Sequence, residues 1–213
     1  WLARKKVRSK KLCLAGGAAL NCIINQKLIE SGLFDEVYIQ PAASDEGLPL
    51  GCALYGYYDK GGTVRHHMSD AYLGVPNDPA TLPAVLDKWQ LKSSTASVQE
   101  IAQLLADGKI IGRVAGGSEY GPRAIGNRSI LADPRPADMK DRLNAEIKHR
   151  EGFRPFAPSC LEDNIPDYFQ SPAKSPFMVV AGTVREGERD QVPVVTHADG
   201  SCRVQTVNRE QNQ

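Results

Sequence analysis

Long apolar runs are missing: no stretch of the 213 residues approaches the roughly 20 consecutive apolar positions that a membrane-spanning helix requires, so no membrane partner is expected. No charged-then-apolar leader opens the chain, which starts at Trp1 without an initiator methionine. Net charge is scarce too. Lysine and arginine number 26 against 25 aspartates and glutamates, so the global positive field that drives nonspecific nucleic-acid binding is absent and any anion site must be local. The five cysteines, Cys13, Cys22, Cys52, Cys160 and Cys202, are far apart and odd in number. That pattern argues against a zinc site and a complete disulfide framework, and points to a reducing cytoplasm. No Ser-His-Asp arrangement, histidine-rich metal helix, internal repeat or low-complexity tract occurs. What remains, 41% hydrophobic and 24% charged, suits a globular chain of one large domain or two modest ones.

The order of patterns is that of an α/β protein. A short apolar run over residues 12–15 reads as a buried strand and is followed at once by Gly16-Gly17. Leu20, Ile23, Ile24 and Leu28 then keep the spacing of one helical face up to a stop at Ser31-Gly32. Residues 37–39 read as a second strand, 41–47 as a break, and 48–58 as a helix whose Gly51, Ala53 and Gly56 permit close packing. The stretch 60–77, with Gly61-Gly62, His66-His67 and Pro76, is the expected domain connection, a new domain starting near Ala71. There Ser97 and Glu100 have capping-box spacing ahead of Ile101, Leu104 and Leu105. A strand over 109–114, a glycine-rich loop over 116–126 and a strand over 129–131 follow. A helix is expected over 136–150 with Met139, Leu143 and Ile147 on one face, then a buried strand over 177–184 and a hairpin over 192–207 turning through His197-Ala198-Asp199-Gly200.

Several of these segments can carry chemistry. A glycine pair between a strand and a helix lets a phosphate reach backbone N–H groups at a helix N-terminus, although a bare tight turn needs the same pair. Asp45, in the loop at the other end of that unit, could hold a cation against phosphate oxygens or cap the next helix. Gly121-Pro122-Arg123-Ala124-Ile125-Gly126-Asn127-Arg128-Ser129 sets two arginines, an amide and a hydroxyl among glycines, and Lys148, Arg150 and Arg154 add three more cations. Between Lys109 and Arg154 ten basic residues face six acidic ones, a local excess in a chain whose total is +1. The planar guanidinium holds phosphate or carboxylate through two bonds at once, so this segment reads as a positive pocket. The other reading is salt bridges to Glu119, Asp133 or Glu151. His197-Ala198-Asp199-Gly200-Ser201 reads as a turn, with no neighbouring nucleophile visible for His197.

Five runs together resemble the O-carbamoyltransferase family of nodulation-factor and antibiotic carbamoyltransferases. They are Leu12-Cys13-Leu14-Ala15-Gly16-Gly17-Ala18-Ala19-Leu20-Asn21; Gln40-Pro41-Ala42-Ala43-Ser44-Asp45-Glu46-Gly47; the stretch from Glu119 to Arg135; Phe153-Arg154-Pro155-Phe156-Ala157-Pro158; and the stretch from His197 to Val207. They stand in family order and span nearly the whole chain.

The resemblance implies an actin-like ATPase (Kae1-like) piece over residues 1–70 and a YrdC-like α/β domain with a twisted mixed sheet over 71–213, incomplete at its C-terminal end. It implies that carbamoyl phosphate and ATP form a carbamoyl-adenylate, whose carbamoyl group passes to an acceptor hydroxyl on a nodulation factor or antibiotic sugar. Gly16, Gly17, Asn21, Asn127 and Ser129 are then nucleotide and substrate contacts. Asp45 is a ligand of a divalent metal, iron or magnesium, and Arg123, Arg128, Lys148, Arg150 and Arg154 are the catalytic cations. The family's metal-binding histidines are expected before Trp1 and a late Asn-Thr-Ser-Phe-Asn type segment after the hairpin, so the chain is expected to be cut at both ends and inactive alone. Ala115-Gly116-Gly117 departs from the usual Gln-Gly-Arg, which removes one cation at Gly117. A binding module without turnover and a tRNA-modifying YrdC-like protein are the alternatives.

Overall fold

Residues 5–6, 8–170 and 174–208 are described by a computed structural model. The first unit follows the expected order. Strand β1 (Lys11–Leu14) pairs in parallel with β2 (Glu36–Ile39), Leu12 opposite Val37 and Leu14 opposite Ile39. Between them a 3-10 turn, Gly17–Leu20, leads into helix α1 (Cys22–Glu30). The helix starts where Asn21 Oδ1 accepts the backbone N–H groups of Ile23 and Ile24, both at 3.1 Å, and the chain leaves it through Gly32 at φ 62°. A second 3-10 turn, Asp45–Gly47, precedes α2 (Leu48–Asp59), which carries Pro49 in its first turn. The close packing expected of α2 does not occur among the described residues: Gly51 and Gly56 face open space and no residue of the helix is buried.

The two halves of the chain meet through α1. Asn25, only 1% exposed, donates from Nδ2 to Ala19 O and Val179 O at 2.7 Å each, and Ala181 N donates to Cys22 O at 3.2 Å. Val179 and Val180 complete an apolar cluster with Ala19, Ile39 and Ala43. Asn25→Ala will therefore strip two buried carbonyls of their donor, and urea unfolding will register a loss of about 2–3 kcal/mol.

Residues 71–77 run alongside the glycine-rich loop. Tyr120 N donates to Ala71 O at 2.6 Å, Gly74 N to Ser118 O at 2.9 Å, and Pro76 bridges to Gly117. A Cβ on Gly117 would stand 2.6 Å from Tyr72 O, so this backbone fills the space that a larger residue at 117 needs. Helix α3 (Leu82–Lys88) and helix α4 (Val98–Ala106) follow, the latter with the reciprocal Ser97/Glu100 capping box that the sequence implies. The α4 residues Ile101 and Leu104 stay exposed. Beyond them β3 (Ile111–Val114) pairs antiparallel with β4 (Arg128–Leu131), framing the loop.

The largest core gathers Met139, Leu143, Ile165, Phe169, Val184, Val192, Val194, Val195, Cys202 and Val204. Complete burial of Met139, Val184 and Val204 contributes roughly 1.5–3 kcal/mol each. Here three expectations are corrected. Helix α5 (Met139–Arg142) passes into a π-helix, Leu143–Lys148, whose wider turn carries Ile147 out to 41% exposure while Met139 and Leu143 stay buried. The strand expected over 177–184 is confined to β7 (Gly182–Val184), because Met178 adopts φ 53° and Val179 and Ala181 are tied to α1 instead of a ladder. The hairpin expected over 192–207 is also absent. Residues 192–196 coil, with Val195 N donating to Val192 O, so that Val192, Val194 and Val195 all face the core.

The turn 197–200 instead delivers β8 (Ser201–Cys202) to β7, which also pairs with β6 (Phe169–Gln170) after α6 (Ile165–Tyr168). The last strand, β9 (Gln205–Val207), pairs in parallel with β5 (Ser159–Leu161). Among the described residues the strands of the second part make three small sheets, where one twisted mixed sheet was expected. Strands of two to four residues, interrupted by prolines such as Pro134, Pro136, Pro155 and Pro158, leave no room for longer ladders. No helix among the described residues is long and apolar enough to cross a membrane.

Candidate functional site

The end of β1, the loop 40–45 and the start of α2 enclose an open cleft of about 650 Å³. Gly16, at φ 91°, turns the chain there and donates its N–H to Ala43 O at 2.6 Å. Gly17 and Asp45 line the same cleft, so the sequence-expected pairing of the glycine turn with this carboxylate is realised. Gln40, in the wall, keeps a buried Oε1 without a hydrogen-bond partner. Asn21, expected at the nucleotide, has its Oδ1 engaged in capping α1. Among the described residues no three histidine, cysteine, aspartate or glutamate side chains gather as a metal site, so Asp45 offers one carboxylate and the described residues do not by themselves fit a resident metal.

The glycine-rich loop is wound around a carboxylate. Glu119 Oε1 accepts from the backbone N–H groups of Ile125, Asn127 and Arg128 at 3.0, 2.8 and 3.0 Å. Burial opposes its ionisation, but these donors prevail and hold the Glu119 carboxyl below its ordinary value. Asn127 is 6% exposed and donates to Gly117 O at 2.8 Å, while Ser129 Oγ accepts from Gly126 N at 2.9 Å. Arg128 donates to Ala115 O, Asn127 O and Asn77 Oδ1 at 2.6, 2.9 and 3.0 Å. Three of the expected ligand contacts, Asn127, Arg128 and Ser129, therefore hold the loop's own shape.

That shape presents Arg123. Gly121, at φ 123°, lies so close to the first unit that a Cβ there would stand 3.0 Å from Pro41 O. Arg123 Nη2 then reaches Leu20 O at 3.2 Å, and its buried Nε has no partner. Arg150 is held by its Nε bond to Asn144 Oδ1 at 2.7 Å and by stacking over Phe156 at 4.8 Å. Asn144, 1% exposed, also clamps the following loop through Gly152 O and Arg154 O.

The third member of the group is one the sequence reading missed. Arg203 follows β8, between the fully buried Cys202 and Val204, and its Nε too is buried without a partner. Burial pulls the Arg203 guanidinium below its ordinary value; Arg123 and Arg150 pull it further, and only the Cys22 thiol opposes. No carboxylate pairs with Arg123, Arg150 or Arg203 among the described residues. The signal in the sequence was an arginine set between two apolar residues, Cys202 and Val204.

Of the five cations expected to be catalytic, Arg123 and Arg150 are the two whose charges act on Arg203, whose Nε is buried. Arg128 turns into its own loop, Lys148 is exposed, and Arg154 is exposed beside Glu151 at 3.8 Å. Of the three carboxylates in the alternative reading, Asp133 pairs with Arg135 and Glu151 with Arg154, while Glu119 accepts backbone N–H groups instead. Like charges drawn together without a counter-carboxylate repel, and an anion with several oxygens relieves that repulsion.

A carbamoyltransferase N-terminus model matches residues 2–54, the part that builds the glycine cleft, and a carbamoyltransferase C-terminus model matches residues 102–213, the part that carries the arginines. The chain belongs to the carbamoyltransferase family. Its relatives include nodulation protein NolO of Bradyrhizobium diazoefficiens, 45% identical across 98% of this chain and 40% of that protein. Nodulation protein NolNO of Sinorhizobium fredii is 45% identical across 96% of this chain and 31% of that protein. Nodulation protein U of Azorhizobium caulinodans is 43% identical across 94% and 35%. The chain thus spans well under half the length of the curated relatives it matches.

Proposed function

We propose that the whole protein is an ATP-dependent O-carbamoyltransferase, in which this chain supplies the carbamoyl-phosphate pocket and one wall of the nucleotide cleft. The carrying observation is that the buried Nε atoms of Arg123 and Arg203 have no hydrogen-bond partner, with the Arg123 and Arg150 charges both acting on Arg203. Kae1-like character for residues 1–70 and YrdC-like character for 71–213 belong to this reading. The chemistry needs two polyanions brought together and charge neutralised on a departing phosphate, a task for fixed cations more than for a nucleophilic side chain. Arg150, already oriented by Asn144 and Phe156, holds phosphate oxygens without further ordering. Arg123 binds from a loop braced by Glu119, and its contact with Leu20 sets the pocket against the turn that follows Gly16 and Gly17.

Glycine amides at that turn suit nucleotide phosphates. A divalent metal belongs to the same reading, with Asp45 as one ligand, and no step here depends on it. A sugar hydroxyl is the acceptor class, and the nodulation proteins among the relatives favour a nodulation factor.

Calorimetric titration with carbamoyl phosphate and inorganic phosphate tests the pocket, with mass spectrometry of the mixture after ATP is added. One anion will bind per chain, and Arg150→Ala will weaken it about tenfold or more. No acceptor will be carbamoylated by the 213-residue chain alone. Failure of both phosphates to bind sinks the reading.

A further inference from the structure

The glycine-rich loop meets the cleft from behind. Ala42, Ala43 and Ser44 form one wall of the cleft, and Ala43 O accepts the Gly16 N–H at 2.6 Å. Gly47 lies so near this wall that a Cβ on it would collide with Ala42 O. Gly121, from the second part of the chain, presses on the same backbone: a Cβ there would stand 3.0 Å from Pro41 O and 3.4 Å from Ala42 N. Gly121 also adopts φ 123°, which disfavours every residue with a Cβ. Yet Gly121 itself does not line the cleft.

Two residues on, Arg123 Nη2 donates to Leu20 O at 3.2 Å. Leu20 ends the 3-10 turn that begins at Gly17, which lines the cleft as well. The loop therefore touches both the wall and the turn, and only Pro122, with its φ locked by the ring, separates the two contacts. Beyond Ala124 the loop is fixed from the other side. Glu119 Oε1 accepts the Ile125 N–H, and Ile125 O accepts from Tyr72 OH at 3.0 Å and Gln205 Nε2 at 2.7 Å. A displacement of the wall is thus passed to the short stretch that carries Arg123.

Resting on the proposed nucleotide cleft and phosphate pocket, we infer that Gly121 is a positioning residue that makes the two sites interdependent. A nucleotide that orders the wall and the glycine turn also fixes the backbone on which Arg123 rides, and a phosphate held by Arg123 fixes the wall in return. The second ligand then meets a loop that the first has already ordered, so it binds more tightly. The effect is reciprocal by thermodynamic necessity.

The test is calorimetry on the full 213-residue chain, titrating ADP with and without saturating inorganic phosphate, and phosphate with and without saturating ADP. In the unaltered protein each ligand will tighten the other about fivefold or more, by the same factor in both directions. Gly121→Ala will bring that factor to about one while each ligand alone still binds. Pro122→Gly, which keeps both contacts and loosens the joint between them, will lower the factor part of the way and gives the answer should G121A fold poorly. Gly187→Ala, at a position where a Cβ meets nothing, will leave the factor unchanged, and a loss there equal to that in G121A overturns the assignment. A purely structural Gly121 would change the melting temperature without changing this factor. Independent or competitive binding of the two ligands in the unaltered protein, or a factor that survives both substitutions in the loop, also overturns the assignment of Gly121. Failure of either ligand to bind the unaltered protein overturns the cleft or pocket itself, and the inference with it.

Discussion

Replacing Arg203 by methionine will move stability and binding in opposite directions. Phosphate affinity will fall roughly ten- to a hundredfold, the range for losing one charge-assisted contact in a partly buried site. The unliganded fold will gain stability, by about 1 kcal/mol or more, as replacement of a poorly compensated buried charge by an apolar side chain commonly does. The physical basis is a buried Nε without a partner, two guanidinium charges that act on it and no paired carboxylate among the described residues. A structural arginine behaves otherwise, since removing it leaves its partners unpaired and lowers the melting temperature. Thermal unfolding with and without phosphate measures both signs. A lower melting temperature for R203M in phosphate-free buffer refutes the assignment.

Replacing Glu119 by alanine will cost about 3–4 kcal/mol of stability, because three loop N–H groups lose their acceptor at once. Since Arg123 rides on this loop, anion affinity will fall in parallel although Glu119 faces no ligand. Glu119→Gln keeps an acceptor oxygen and will lose roughly half as much. Acid acts on the same bonds. The folded carboxyl lies below its ordinary 4.5, so its contribution is complete above that pH and disappears as pH falls through the lower folded value. Urea midpoints measured from pH 7 down to about pH 3 will therefore decline for the unaltered protein and stay flatter for E119Q over that window. An equal decline in both would remove Glu119 from the account.

Local chemistry made much of this legible in the chain itself. Gly16-Gly17 after an apolar run and Ser97 three residues before Glu100 became a turn and a capping box because each depends only on neighbours in sequence, whereas Asn21, expected at the nucleotide, became a helix cap. Arg123 and Arg150 were readable as candidates because glycines and prolines bracketed them. Arg128 and Asn127 looked the same in sequence and became scaffold instead. Which side of a loop a side chain takes is set by distant acceptors such as Ala115 O and Gly117 O. The π-turn that exposes Ile147 was likewise invisible to a simple helical period.

By itself, then, the sequence determined the order of elements, the absence of a global charge and the family, since five ordered motifs need no coordinates to be compared. The tertiary structure alone decided which guanidinium groups act on one another. Arg123, Arg150 and Arg203 lie far apart along the chain, and their meeting depends on packing of α1 against residues 179–181 and of β8 against β7. Repulsion among like charges falls off with distance in space and is indifferent to separation in sequence, so only the folded chain could show which of them it acts between.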